Sequence, residues 1–230
     1  MIGNLELAIM ELFQGANPHA KITAALKASN RAAEMSGLML TYLGQSFDKH
    51  EPLDLSETCR RTLPMLQTII SGDVVLETDL PSPGPVIMAN ATQIQQILTN
   101  LATNAREAVG ESRGAIHLSV KIVSQAEIST VHLHPIDWQP QDNAYACLEV
   151  TDAGCGIEDK DIENLFDPFF SNKFTGRGMG LAVVVGIVRA HGGAVTVQSE
   201  PGQGSIFRVF FPLVEDEEIV RNIQIQENRS

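Results

Sequence analysis

Residues Gln96–Ala108 read QILTNLATNAREA, inside a helical pattern that runs from Thr92 to Val109. Helical spacing places Asn100 and Asn104 four apart on one face, so two carboxamides project together. An amide carbonyl is a neutral oxygen ligand for a hard cation, and Mg2+ takes one or two protein oxygens while water and substrate phosphates fill its remaining positions. Asn104 suits that role. Taken alone, the same letters also fit two solvated positions on an exposed helix face.

Two further segments lie downstream. In Thr151–Ile157, TDAGCGI, an apolar strand ends at Asp152, and Gly154 and Gly156 follow with no side chain to keep a flat ligand away from the backbone. A buried carboxylate there accepts from an exocyclic amine, which separates adenine from guanine because guanine carries a carbonyl at that position. An ordinary Asp-Gly turn is the competing reading. In Thr175–Leu181, TGRGMGL, the glycines Gly176, Gly178 and Gly180 alternate immediately before an apolar helix, so that backbone N–H groups meet a helix N-terminus, the usual setting for a phosphate. This loop follows no Rossmann-type strand and lacks the Lys-Ser/Thr ending of a Walker loop, which disfavours both of those nucleotide folds.

Around these segments, helix signals at Ser56–Ile70, Thr92–Val109 and Gly180–His191 interleave with strand signals at Ala115–Val123, Tyr145–Thr151, Ala194–Ser199 and Ser205–Phe211. The pattern predicts an α+β fold, a two-layer α/β sandwich over residues 51–213. Ahead of it, residues 1–14 and 18–46 carry apolar residues at three-to-four spacing, with Gly15, Asn17 and Pro18 between them, which predicts an antiparallel helix hairpin within residues 1–50. Such a hairpin leaves an apolar stripe uncovered, so pairing with a second copy as a four-helix bundle, a homodimer, is expected. Residues 214–230 form a polar tail.

Composition narrows the partners. With 16 basic and 28 acidic residues the formal charge is -12, so the overall field repels nucleic acid and anionic lipid, and any phosphate site must be local. Cys59, Cys147 and Cys155 form no Cys-x-x-Cys pair, which fits a reducing, cytoplasmic setting. Apolar stretches such as Gly180–Val188 fall short of the roughly 20 residues that span a bilayer, so no direct membrane contact is expected.

In this order and spacing, the three segments resemble the N-box and two glycine boxes of the histidine-kinase branch of the gyrase, Hsp90, histidine-kinase and MutL ATPase superfamily. Leu165–Phe170, LFDPFF, resembles the phenylalanine box of that branch, and Pro201–Phe207, PGQGSIF, its last glycine box. The resemblance covers about Pro52 to Leu213 and implies an ATP-binding sandwich, with ATP between the N-box helix and a lid, Ser171–Thr175, before the last helix. It implies that Asn104 coordinates Mg2+, that Asn100 lies near the phosphates, and that Asp152 binds adenine in a pocket lined by Gly154 and Gly156, with Ser205 in support. Gly176, Arg177, Gly178, Met179, Gly180 and Leu181 would close on the triphosphate, with Lys173, Arg177 and Arg106 as charge partners. Gyrase and Hsp90 relatives carry a glutamate at the position of Asn100, placed to activate water. An amide is no general base at neutral pH, so transfer of the γ-phosphate to a histidine fits better than hydrolysis.

The family pattern departs at one point. Ile2–Ala8 resembles the continuation of the stretch that carries the phosphoacceptor histidine, which would precede Gly3 by about three helical turns. His19 at the hairpin turn and His50 in the linker do not match that position and read as surface residues. His132 and His134 lack a third ligand, His191 reads as a helix cap, and Cys155 as buried filler. The expectation is a two-component kinase core whose acceptor lies outside this chain and whose partner is a response regulator receiver domain. The alternatives are a degenerate-kinase scaffold docking such a regulator, and an anti-sigma-type serine kinase.

Overall fold

The computed structural model describes residues 2–14, 17–26, 29, 49–70, 72–110, 112–168, 170 and 179–215. The Ser171–Thr175 segment, most of the second arm of the hairpin and the tail beyond residue 215 lie outside them. Helix α1 (Ile2–Phe13) covers the predicted first arm, and residues 19–26 are helical in turn, entered through Asn17, whose Oδ1 accepts the His19 N–H at 3.0 Å. Ala8 and Ala25 are buried, whereas Leu5, Ile9 and Leu12 of the predicted stripe are exposed.

Period-two alternation builds the sheet. β2 (Val74–Asp79), β4 (Gly114–Ser124), β6 (Ala144–Asp152), β8 (Gly204–Pro212), β7 (Ala194–Glu200) and β5 (Leu133–His134) lie side by side in that order, with β2 and β4 parallel and the other neighbours antiparallel. Alternate residues of the long strands, among them Leu118, Leu148, Val150, Val209 and Phe211, face α2 (Leu55–Ile69), α3 (Ala91–Val109) and α5 (Gly180–Ala190) in one continuous core, which Ile162 of the one-turn α4 (Asp159–Ile162) joins. In α5, residues 181–188 are all buried, which explains why this helix is apolar on every side. A short antiparallel pair, β1 (Glu51–Asp54) and β3 (Val86–Ala89), flanks the helices, and Ile87 also bridges to Leu213.

Between β4 and β6 the chain makes a long excursion whose β5 pairs with β7 and covers that edge of the sheet. Ile128, Leu133 and Trp138 of this excursion pack on Val123, Tyr145, Cys147, Ala194 and Phe210, a second small core away from the helices. Trp138 Nε1 donates to the Gly192 carbonyl at 2.9 Å, and Asp137 pairs with Arg189 at 2.8 Å. These contacts bind the excursion to the end of α5. His134 packs against Phe166 with its ring tilted by 42° and the centroids 4.4 Å apart, and burial holds its ring below the ordinary histidine value although Asp167 pulls the other way.

Candidate nucleotide site

Three elements meet at one end of the sheet. Asn90 caps α3, its side chain accepting the Thr92 and Gln93 N–H groups at 2.9 and 3.2 Å, and a buried stripe that includes Ile94, Ile97, Leu98 and Leu101 presses the helix onto the sheet. That packing turns Asn100 and Asn104 to the margin of the core, both half-buried. Asn100 Nδ2 is shut away from solvent and has no hydrogen-bond partner among the described residues. A buried donor left unpaired costs about 1–3 kcal/mol, so this atom favours an incoming acceptor.

Gly180 opens α5 against this amide. A side chain begun at Gly180 would bring its Cβ to 3.5 Å from Asn100 Oδ1. The cap residue Met179 makes no side-chain hydrogen bond to the first turn of α5, and among the described residues its N–H groups are open to a ligand of negative charge. Met179 and Leu181, predicted to line the nucleotide, have buried side chains in the core, so only their backbones are placed to face a phosphate. Lys173, Gly176, Arg177 and Gly178 lie outside the described residues.

Asp152, the last residue of β6, is 4% exposed. Its Oδ1 accepts the Gly154 N–H at 2.9 Å, closing the turn. Ser205 stands opposite it on β8, but the Ser205 hydroxyl lies 3.1 Å from Ser199 Oγ. Ser199 escaped the sequence reading. It accepts from the Ile157 N–H at 2.9 Å and donates to the Gly204 carbonyl at 2.8 Å, tying the turn after Asp152 to the head of β8. A half-buried serine near the end of a strand with an otherwise ordinary pattern carries no signal that would have singled it out.

The two glycines after Asp152 have a packing reason as well as the predicted one. A Cβ on Gly154 would fall 2.5 Å from the Ala108 carbonyl carbon, and Gly156, at φ +68°, lies directly on the Glu200 carbonyl. The turn hangs from α3 through the Cys155 N–H, which donates to the Ala108 carbonyl at 3.0 Å. Cys155 itself is exposed, against the expectation of buried filler, because its backbone is held on both sides while its side chain points away from the packed face. The Arg106 guanidinium donates to the Gly110 carbonyl at the far end of α3.

Among the histidines, His191 caps α5 as predicted, with Nδ1 2.7 Å from the Ile187 carbonyl. His50 is no surface residue; it is half-buried and stacks on His191 with centroids 4.1 Å apart. No group of three or more His, Cys, Asp or Glu among the described residues could hold a metal ion by itself. No helix among them is long and apolar enough to cross a membrane.

Comparison with known proteins bears on this arrangement. Residues 89–215 match the profile described as histidine kinase-, DNA gyrase B-, and HSP90-like ATPase. The chain is 31% identical over 191 residues to the sensor kinase CckA of Brucella abortus (strain 2308), covering 82% of this chain and 20% of that protein. It is 27% identical over 200 residues to the sensor histidine kinase ZraS of Escherichia coli (strain K12), covering 86% of this chain and 39% of that one. It therefore spans well under half of either relative. In fold it is similar to the Acinetobacter baumannii histidine kinase AdeS (TM-score 0.61, 22% identity, 92% of this chain and 94% of that one). It is also similar to full-length ShkA in complex with AMPPNP (TM-score 0.62, 23% identity, 92% of this chain and 43% of that one).

Proposed function

We propose that this chain, which belongs to the family of histidine kinase-, DNA gyrase B-, and HSP90-like ATPases, is the ATP-binding catalytic core of a two-component sensor histidine kinase, transferring the γ-phosphate of ATP to a histidine outside these residues. The observation that carries this reading is the orphaned Asn100 Nδ2 beside the uncapped head of α5, with buried Asp152 on the neighbouring strand end. Gly180 meets α3 at Asn100 and the turn after Asp152 meets it at Ala108, about 12 Å further along the helix, so donors for phosphate and an acceptor for an amine lie along one helix.

In this reading Asp152 accepts from the adenine amino group through the oxygen that does not close the turn, and the glycine turn forms the floor of the base pocket. Asn100 donates to a phosphate oxygen and recovers the hydrogen bond it lacks. Lys173, Gly176, Arg177, Gly178, Met179, Gly180 and Leu181 close over the triphosphate, the two cations balancing its charge. Asn104 offers one neutral oxygen, which fits Mg2+ shared with the phosphates rather than caged by protein. Mg2+ would neutralise charge developing on the transferred phosphoryl group. With Asn100 where a base would stand, water is not activated, and an imidazole that is already a nucleophile is the better acceptor. The exposed apolar stripe of α1 supports a homodimer, and the relatives' names, sensor kinase and sensor histidine kinase, support a signalling kinase, for which a response regulator receiver domain is the partner in this reading.

Calorimetry with Mg2+ and ATP tests the reading. Binding by the wild type that is lost in folded Asn104→Ala and Asp152→Ala variants is the expected result. A folded wild type that binds no ATP overturns it.

A further inference from the structure

α3 and α5 lie side by side and run in opposite directions. Gly180, at the head of α5, faces Asn100 in the middle of α3, while His191, just past the tail of α5, reaches Asn90 at the head of α3. From Asn90 to Asn100 α3 climbs about 15 Å, and from Gly180 to His191 α5 climbs about 16.5 Å, so the two contacts close a matched rectangle. His191 forms its corner. Its Nδ1–H donates to the Ile187 carbonyl at 2.7 Å, which assigns the neutral tautomer and leaves Nε2 to accept the Asn90 N–H at 3.4 Å. His50, from the segment that enters β1, lies flat on the same ring at 4.1 Å and 17°, and Phe211 of β8 meets it edge-on.

We infer that His191 is a positioning residue for the nucleotide site, holding the register of α3 against α5 that sets the head of α5 on Asn100, and that His50 couples the chain entering β1 to this clasp. The inference rests on the nucleotide-binding reading above. A proton arriving on Nε2 would turn the acceptor into a donor facing the Asn90 N–H, so the clasp works only with a neutral ring.

His50 is the titratable group stacked on His191. The charges nearest in sequence are engaged elsewhere, Lys49 with Glu51 at 3.1 Å and Arg189 with Asp137 at 2.8 Å. Burial holds the His191 ring below its ordinary value near 6.5, the Ile187 carbonyl pulls it up, and His50 lowers it further. The clasp is therefore intact above that ordinary value and is lost as pH falls through the lower, native one.

The test is calorimetric titration of Mg2+ and ATP between pH 5.5 and 8 on four folded proteins: wild type, His191→Gln, His191→Phe and His50→Ala. His191→Phe keeps an aromatic ring and removes both hydrogen bonds, so about tenfold weaker binding across the range is expected, with the acid-side loss that depends on the His191 imidazole gone. His191→Gln, which can still offer an acceptor to Asn90, should recover part of the affinity without the pH dependence. His50→Ala, at a half-buried position, should weaken binding about threefold and change the acid limb. If the wild type binds and all three variants match it at every pH, the inference fails and the nucleotide reading stands. If the wild type binds at no pH, both fall.

Discussion

Gly154 rests directly on Ala108: a Cβ on the glycine would fall 2.6 Å from the alanine Cβ and 2.7 Å from its carbonyl oxygen. The turn that follows Asp152 is thereby pressed onto the last turns of α3, and the Cys155 N–H bond to the Ala108 carbonyl fixes it there. Gly154→Ala should destabilise the fold by about 1–3 kcal/mol, the usual cost of overpacking a close contact. Because two of the three nearest atoms are backbone, adding Ala108→Gly should restore only part of the loss. Thermal unfolding of the single and double variants measures both effects, and full rescue would show that the backbone contact is not what forbids the alanine.

Asp152 offers a sharper separation of stability from recognition. Its Oδ1 holds the Gly154 N–H at 2.9 Å, a bond that asparagine can also accept, so Asp152→Asn should fold normally. The variant replaces the other carboxylate oxygen with a donor, which opposes an adenine amino group and loses a charge-assisted bond. ATP affinity should fall about 10- to 100-fold, and preference over GTP should shrink with it. Calorimetry with both nucleotides decides it, and undiminished selectivity would remove Asp152 from base recognition.

Much of this arrangement is legible in the sequence because buried faces impose a period. The stripe of α3 through Ile94, Ile97, Leu101 and Ala105, and the apolar runs of β4, β6, β7 and β8, which are covered in part on both faces, mark those elements to within about a residue or two. β1 and β3 are too short, and β1 contains Pro52, to show alternation, while β5 is two residues long and exists only because it pairs with β7. β2, VVLETD, buries only Val74 and so lacks a strand signature. At the site, Asn100, Asn104 and Asp152 stand out through residue type and spacing. The partners of His191 do not, since Asn90 is 101 residues away and only the packing of α3 on α5 brings it near. Exposure was misread for His50 and Cys155 because burial of a single side chain in a turn or linker depends on tertiary contacts that no local pattern encodes.

Glu149 sets an acid limit on the fold. On the face of the sheet away from the helices it receives Arg208 Nε at 2.5 Å and Lys121 Nζ at 3.1 Å. Burial alone would push its carboxyl up, but the hydrogen bonds from Arg208 and Lys121 outweigh that and hold it below its ordinary value of 4.5. A carboxyl with a depressed native value contributes stability in full above 4.5 and loses it as pH falls through the lower native value. The melting temperature of wild type should therefore drop more steeply than that of Glu149→Gln between pH 5 and pH 3. Parallel curves would mean that the cross-strand pairs add nothing to stability.

The three thiols should separate cleanly by reactivity. Burial pushes Cys59 and Cys147 up to about 12, so neither offers thiolate or access in the folded protein. Cys155 is exposed, its Sγ 3.5 Å from the Gly156 carbonyl. Iodoacetamide at neutral pH should modify Cys155 alone in the native protein and all three cysteines in denaturant, as read by intact mass. Since Cys155 lies in the turn that floors the proposed base pocket, the singly alkylated protein should bind Mg2+ and ATP several-fold more weakly, while Cys155→Ser, which keeps the backbone bond to Ala108, should bind normally before and after treatment. Rapid modification of more than one native thiol would mean that the core around Cys59 or Cys147 opens more readily than its burial implies.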